Sequence, residues 1–267
     1  MPTSTPIRGV FAYNNMMTFP RFFCPEPLAV GARLALPENA ARHAVRVLRL
    51  GAGAELTLFD GEGGEYVARI GTVRKDEVQV DVLSWQALEC ESPLRVTLAQ
   101  ALQAGDKMDL TVQKAAELGV AAIQPVSSRR SVVRLDGERA LRRVEHWRGV
   151  AASACEQCGR NRVPEVAGLL AMEQWLATLG EKPATQLRLM LAPGGTSALG
   201  SLPPAGDVIL LVGAEGGLDP QEAAAAASAG FVPVHLGPRV LRTETAGLAA
   251  MAAVQVLWGD FRGVLYA

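Results

Sequence analysis

The chain has 267 residues, of which 49% are hydrophobic and 20% are charged, with a formal net charge of -1. This length suffices for two domains, and the near-zero charge argues against a general polyanion binder while leaving room for local basic patches. Four cysteines do not indicate a disulfide framework. Because the sequence has no apolar span of about 20 residues and no secretory leader, we predict a cytoplasmic protein without a membrane partner.

Arginine carries nearly all of the positive charge, since only four of the 26 basic residues are lysines. Arginine is the better residue for bidentate phosphate contacts and for stacking on bases. A genome of high G+C content would produce the same bias. The positions of the arginines therefore have to decide between the two explanations.

The first 90 residues divide into an extension and a β-rich unit. Residues 1–17 have no periodicity, and we expect a disordered extension there. Residues 18–90 contain four short strand candidates separated by turns rich in glycine and aspartate: Leu34–Leu36, Glu55–Phe59, Tyr66–Ile70 and Val78–Leu83. Several short strands in about 70 residues predict a small barrel.

One helix is predicted within this unit, at Glu38–Leu50, with Val45 and Leu48 on its apolar side. Arginines recur along it at spacings of four and three residues, and we predict that they form one stripe: Arg42, Arg46 and Arg49. A solvated helix face explains such a stripe as well as an RNA-binding surface does.

The second domain is predicted to begin at Glu91 and to extend over residues 91–267. A strand at Leu94–Ala101, a helix from the Asp106 cap to Leu118 and a strand at Val120–Val126 form a β-α-β unit, which predicts a parallel sheet. The polar loop that follows carries Arg129 and Arg130, which are suited to phosphate contacts.

A long helix is predicted over Gly137–Cys158, with core positions at Leu141, Val144, Trp147 and Ala151. It ends in Cys155 and Cys158, a C-x-x-C pair. A zinc site usually needs four protein ligands, and no histidine has a suitable spacing to this pair, so we predict no metal.

Small-residue loops follow three apolar strands in the last third of the chain. The predicted strands are Leu187–Ala192, Val208–Val212 and Phe231–Leu236. Asp219 caps the helix after the second strand, and the last helix is predicted at Thr243–Trp258. If these strands are parallel neighbours, their loops meet at the sheet edge where open α/β sheets bind ligands.

Two segments carry a family resemblance: GAEGGL at 213–218 and LGPRVLRTETAGLAA at 236–250. They resemble the signature segments of the RsmE family, the SPOUT-class RNA methyltransferases that methylate N3 of a uridine in 16S (small-subunit) ribosomal RNA. FPRFFCPEPL, ESPLRVTLAQ, KMDLTVQKAAELGV and ACEQCGRNRVPE also resemble family segments. One departure is Ala214, where the family more often has proline, and a less rigid loop there would weaken cofactor affinity.

The resemblance implies an α/β fold with a C-terminal SPOUT-type parallel sheet, a trefoil knot, a small N-terminal PUA-like β-barrel and a homodimer. It also implies S-adenosylmethionine as the cofactor, bound by residues of three loops. These residues are Leu191, Ala192, Pro193, Val212, Gly213, Glu215, Gly216, Gly217, Leu236, Gly237, Val240, Leu241, Arg242 and Thr243.

Methylation at N3 requires that the uridine lose a proton. We expect Arg242 to stabilise negative charge on the uracil oxygens and either Glu215 or Glu244 to assist proton removal. A helix-capping charge at Glu244 and a loop-closing contact at Glu215 are the structural alternatives.

RNA contacts are predicted for exposed arginines and for the loop beside the site: Arg21, Arg42, Arg46, Arg49, Arg129, Arg130, Arg160, Asn161 and Arg162. The resemblance implies 16S rRNA or the assembled small subunit as the partner. A nucleotide-binding dehydrogenase is an alternative interpretation, but the sequence lacks the G-x-G-x-x-G motif of dinucleotide-binding sites. A non-catalytic RNA-binding protein is a second alternative interpretation, although such a protein would not need the three small-residue loops.

Overall fold

The structure is a computed structural model that describes residues 19–75 and 77–262. The predicted disordered extension at residues 1–17 lies outside the described residues. The helices are α1 Glu38–Arg42, α2 Lys107–Glu117, α3 Gly137–Cys158, α4 Met172–Thr178, α5 Pro220–Ser228 and α6 Thr243–Trp258. None of the helices in these ranges is long and apolar enough to span a bilayer.

Five strands form the N-terminal sheet in the order β1-β3-β4-β5-β2. They are β1 Arg21–Phe23, β2 Arg33–Ala35, β3 Glu55–Phe59, β4 Glu65–Arg74 and β5 Glu77–Gln86. Aliphatic side chains from these strands and alanines of α1 form one buried cluster. Strand β1 is not predicted from the sequence, because three residues without alternation of polar and apolar side chains give no strand signal.

The predicted helix at Glu38–Leu50 is wrong in its second half. The α-helical turns end at Arg42, and a π-helical turn follows at His43–Val47. Arg49 then adopts a left-handed backbone with φ of 56°, so the three arginines do not follow one helical stripe. Leu48 is 39% exposed rather than part of the apolar side.

Eight strands form the C-terminal sheet in the order β11-β13-β10-β12-β6-β7-β8, with β9 beside β7. They are β6 Arg95–Ala101, β7 Ala122–Ser127, β8 Glu165–Val166, β9 Leu170–Ala171, β10 Gln186–Leu191, β11 Ser197–Ala198, β12 Asp207–Val212 and β13 Phe231–His235. Every pairing in this sheet is parallel. The predicted parallel sheet is therefore confirmed, and the carboxyl ends of its strands share one edge.

Helices cover both faces of this sheet. Buried side chains of α2, α3 and α6 pack on one face, and those of α4 and α5 pack on the other. The predicted bounds of α3 and α6 match the structure. Leu141 does not belong to the core as predicted, because it lies before the buried stripe of α3 begins at Val144 and is 68% exposed.

Polar side chains join the two sheets at the start of the chain. The Arg21 guanidinium donates to Asn161 Oδ1 at 2.6 Å and to the Arg160 carbonyl at 3.3 Å, and it also pairs with Glu65. The Phe23 amide donates to Glu156 Oε1 at 2.9 Å, which links β1 to α3. Burial raises the pKa of Glu156 despite this hydrogen bond.

The contacts between the two sheets form a joint, and Arg160 is its most deeply buried charged residue. The Arg160 side chain is 5% exposed. It donates to both oxygens of Glu91, at 2.9 and 2.6 Å, and to the Ala116 carbonyl at 2.9 Å. Asn161 is 2% exposed and donates to the Leu88 carbonyl at 2.7 Å. These contacts fix the segment between the two sheets against α2 and α3.

We predict that Arg160→Met lowers the free energy of unfolding by roughly 3 kcal/mol, because it leaves the Glu91 carboxylate without its partner in a partly buried site. Urea unfolding followed by circular dichroism measures this change. Arg162→Met is the matched control, since Arg162 pairs with Glu89 at 3.4 Å and its side chain is 53% exposed. The control should cost less than about 1 kcal/mol. Equal losses in the two variants would contradict a special role for Arg160.

Candidate active site

A cavity of about 810 Å³ lies at the carboxyl edge of the C-terminal sheet. The loops after β10, β12 and β13 all contribute to its wall, as the three-loop prediction expected. All fourteen residues predicted to bind the cofactor line this one cavity. The strand order explains the convergence, because β13, β10 and β12 are adjacent parallel strands whose loops leave at the same edge.

The loop after β12 is compact and closed by its own backbone. The Gly217 amide donates to the Ala214 carbonyl at 2.8 Å, and Gly217 has a φ of 71° that favours glycine. A Cβ on Gly213 would lie 2.8 Å from the carbonyl carbon of Gly217. Glycine at 213 therefore allows the two ends of the turn to approach each other.

Thr243 holds this loop against the start of α6. Its hydroxyl donates to the Gly213 carbonyl at 2.5 Å and accepts from the buried Gln100 amide at 3.1 Å. Gln100 lies near the end of β6, directly beside Val212 of β12. Three elements that are far apart in sequence thus fix one wall of the cavity.

Glu215 is the acidic residue on the cavity wall. Partial burial would raise its pKa, but the pKa lies below its ordinary value because backbone amides of Glu215 and Ala104 donate to it and Lys107 lies beside it. The Ala104 amide is 3.2 Å from Glu215 Oε1. The Glu215 side chain is consequently ionised at neutral pH.

Glu244 takes a different place from Glu215. It lies in the first turn of α6 but does not contribute to the wall of the cavity. Its Oε2 atom is buried and has no hydrogen-bond partner among the described residues. The two predicted carboxylates are nevertheless linked, because the Lys107 ammonium lies near both of them.

Three arginines line the cavity: Arg130, Arg239 and Arg242. Arg130 donates to the Gly216 carbonyl at 2.9 Å. For Arg239 and Arg242, the described part of the chain contains no hydrogen bond or ion pair to their guanidinium groups. The sequence assigned no role to Arg239, although it lies within LGPRVLRTETA, three residues before Arg242.

The start of α5 positions the arginine loop that follows β7. Glu222 is 1% exposed and accepts from the backbone amides of Arg129, at 2.8 Å, and Asp219, at 3.1 Å. The Arg129 side chain pairs with Glu173 at 3.2 Å and is 51% exposed. The predicted Asp219 cap is confirmed by its hydrogen bond from the Gln221 amide at 2.9 Å.

The arginines predicted to contact RNA fall into separate groups. Arg42, Arg46 and Arg49 are exposed on the N-terminal unit, and Arg129 and Arg130 lie beside the cavity. Arg160 and Asn161 are buried, and a direct contact with RNA would require their bonds within the protein to break. Arg21 belongs to the same joint, and Arg162 lies at its exposed margin.

Cys155 and Cys158 stand at the end of α3, where Gly159 terminates the helix with a φ of 86°. In the described residues, no group of three or more histidine, cysteine, aspartate or glutamate side chains is arranged to hold a metal ion.

Two family models match the chain. One is described as an RNA methyltransferase domain and matches residues 90–255, and the other is described as an RNA methyltransferase PUA domain and matches residues 36–83. The first covers the C-terminal sheet and the cavity. The second covers most of the N-terminal sheet.

Relatives match over nearly the whole chain. The ribosomal RNA small subunit methyltransferase E of Bacillus subtilis (strain 168) is 34% identical over 228 residues, which cover 82% of this chain and 89% of that protein. The crystal structure of such an enzyme from Neisseria gonorrhoeae, bound to S-adenosyl methionine, is 43% identical with a TM-score of 0.83 and covers 91% of this chain and 99% of that chain. A putative methyltransferase from Legionella pneumophila, also in complex with this cofactor, is 38% identical with a TM-score of 0.86 at the same coverages. This chain belongs to the family of ribosomal RNA small subunit methyltransferases E.

Proposed function

We propose that the chain transfers a methyl group from S-adenosylmethionine to N3 of a uridine in the RNA of the small ribosomal subunit. The single observation that carries this proposal is the cavity, because it brings together three loops, the Glu215 carboxylate and two guanidinium groups, those of Arg239 and Arg242, that have no partner among the described residues. The proposed partner is 16S rRNA or the small subunit, and the proposed location is the cytoplasm.

The residues of the cavity fit S-adenosylmethionine. A volume of about 810 Å³ falls within the range of small-molecule sites. Apolar side chains of Leu191, Val212, Leu236 and Leu241 line it, and the glycine loop exposes backbone groups beside them. When bound, the cofactor supplies an electrophilic methyl group.

The side chains of the protein must then make N3 of the uridine nucleophilic. N3 of uridine carries a proton at neutral pH and becomes nucleophilic when that proton leaves. Glu215 is ionised and lines the cavity, so we assign proton removal to Glu215 rather than to Glu244. A carboxylate with a lowered pKa is a weak base, and stabilisation of the uracil anion by Arg242 compensates for this weakness.

RNA binding is proposed for the exposed arginines Arg42, Arg46, Arg49, Arg129 and Arg130. N3 lies on the Watson-Crick edge, so a paired target base has to leave its helix before it enters the cavity. Arg130 stands where the cavity meets the loop after β7, which suits a phosphate contact beside the target nucleotide.

The trefoil knot and the homodimer remain proposals that rest on the resemblance. Val240 supports a partner at the cavity mouth, because this apolar side chain lines the cavity and is 79% exposed. We expect sedimentation equilibrium to give twice the mass of the chain. A monomer at micromolar concentration would contradict the dimer.

We predict that Gly213→Ala weakens S-adenosylmethionine binding by roughly ten- to a hundredfold, because the added methyl group overpacks the closed loop. Isothermal titration calorimetry measures this affinity. Gly194→Ala is the matched control, since a Cβ there meets no described atom within 4 Å. Equal affinities of the two variants would show that the closed loop is not needed for the cofactor.

We further predict that Glu215→Gln lowers kcat by roughly a hundredfold or more, because the amide does not accept the N3 proton. Transfer of labelled methyl groups to small subunits that lack the modification, followed by nucleoside mapping, measures both the rate and the methylated atom. Binding of the cofactor and of RNA serves as the control for intact sites. A Glu215→Gln enzyme with the wild-type rate would exclude Glu215 as the base, and a methyl group on another atom would overturn the proposed reaction.

A further inference from the structure

Lys107 is a charged residue beside the cavity to which the sequence assigned no role. It is the first residue of α2, just after the loop that leaves β6. Its Nζ lies 3.5 Å from Glu215 Oε1 and 3.7 Å from Glu244 Oε1. The side chains of Lys107, Glu215 and Glu244 are 36%, 23% and 18% exposed, so the shared ammonium is partly shielded from water.

Neighbouring residues fix the frame that holds this ammonium. The Ala104 amide donates to the same Glu215 oxygen, at 3.2 Å. Gln103 is 3% exposed, and with its amide oxygen towards α6 it accepts from the Glu244 amide at 3.1 Å and donates to the Lys107 carbonyl at 3.2 Å. The loop after β6 therefore sets the distance between Glu215 on the cavity wall and Glu244 behind it.

Several elements contribute charged side chains to the cavity wall and to the contacts of Glu215. They are Lys107 of α2, Arg130 of the loop after β7, Arg239 and Arg242 of the loop before α6, and Glu244 of α6. Without the Lys107 ammonium, the Glu215 carboxylate would keep its backbone amide donors, and the remaining cations of the cavity would be the guanidinium groups that line it. An ion pair between Glu215 and Arg242 would occupy both groups that the uracil needs.

We propose that Lys107 is a positioning residue for methyl transfer, which holds the Glu215 carboxylate away from the cavity arginines while Glu244 anchors the ammonium. This role rests on the proposed function of the site. The fixed position keeps one carboxylate oxygen near the place of the N3 proton, and it leaves Arg242 for the uracil oxygens. The low pKa of Glu215, to which Lys107 contributes, agrees with this arrangement.

The first test needs neither cofactor nor RNA. Carbon-13 NMR of the glutamate carboxyl groups follows the titration of Glu215, whose signal is assigned by its absence in Glu215→Gln. Loss of the ammonium in Lys107→Met should raise the pKa of Glu215, and Lys107→Arg should restore it. Lys114→Met is the matched control, because Lys114 lies on the same helix and pairs with Glu117 at 2.7 Å. It should leave the Glu215 titration unchanged.

The second test measures kinetics across pH. Activity that requires ionised Glu215 is lost as pH falls through the pKa of this group in the folded enzyme, so a raised pKa moves the acid limb of kcat/KM to higher pH. Lys107→Met should shift the acid limb of kcat/KM to higher pH and lower kcat by roughly ten- to a hundredfold. Lys107→Arg should recover most of both effects, and Lys114→Met should behave like the wild type. If Lys107→Met does not fold, Lys107→Gln removes the charge and keeps a polar end.

A double-mutant comparison shows whether Lys107 acts through Glu215. In the Glu215→Gln background, Lys107→Met should change kcat by less than about twofold, because the group that it positions is already gone. An equal fold-loss in both backgrounds, or an unmoved acid limb in a folded Lys107→Met enzyme, would overturn the positioning role. If the wild type is active and only this comparison fails, the proposed function stands. If the wild type transfers no methyl group, the proposed function and the positioning role fall together.

Discussion

Parallel pairing of β13, β10, β12 and β6 is the constraint on which the rest of the site depends. It sends four loops from distant parts of the chain to one edge of the sheet. The loops need little structure of their own, because short hydrogen bonds such as that from Thr243 to Gly213 are enough to lock them together. The sheet thereby assembles a cavity wall from residues between Arg130 and Ala246.

The charges around this edge serve distinct purposes because their burial differs. Glu222 is almost completely buried and holds backbone amides, so it organises the loop that carries Arg129 and Arg130. Glu215 is partly exposed to the cavity and remains available to a ligand on that side. Arg239 and Arg242 line the same cavity as Glu215, so its wall holds both guanidinium groups and a carboxylate.

The sequence predicted the C-terminal half well because its signals are local and strong. The Asp219 cap, the alanine-rich α5 and the apolar β12 each follow from the residues themselves. The π-helical turn after Arg42 was not predictable, because tertiary packing and not propensity decides where a helix changes its hydrogen bonding. The exposure of Leu141 was missed for a similar reason, since helical spacing does not tell where the packed face begins.

Site residues were predictable in the loops that follow the apolar strands. Lys107 and Arg239 were not predicted, although both lie within segments that resemble the family, because only the fold shows what surrounds them. All fourteen predicted cofactor positions lie in the two segments that resemble the family, at the carboxyl ends of β10 and β12, or in the loop after β10, and they line one cavity. Lys107 is more than 100 positions away from Glu215 in the chain, and only the pairing of β6 with β12 makes them neighbours. That pairing was the missing information, because the end of β6 would otherwise have no reason to approach the glycine loop.

The joint formed by Arg21, Arg160, Asn161 and Glu156 has a consequence for how a large RNA is handled. Because these contacts are buried and charged, the N-terminal unit is held in place instead of swinging on a tether. The spacing between its exposed arginines and the cavity is then set by the protein itself. Under the proposed function, an RNA that contacts both the arginines and the cavity has to adapt its shape to that fixed span, and discrimination between ribosomal segments would follow from which of them can bend to reach both.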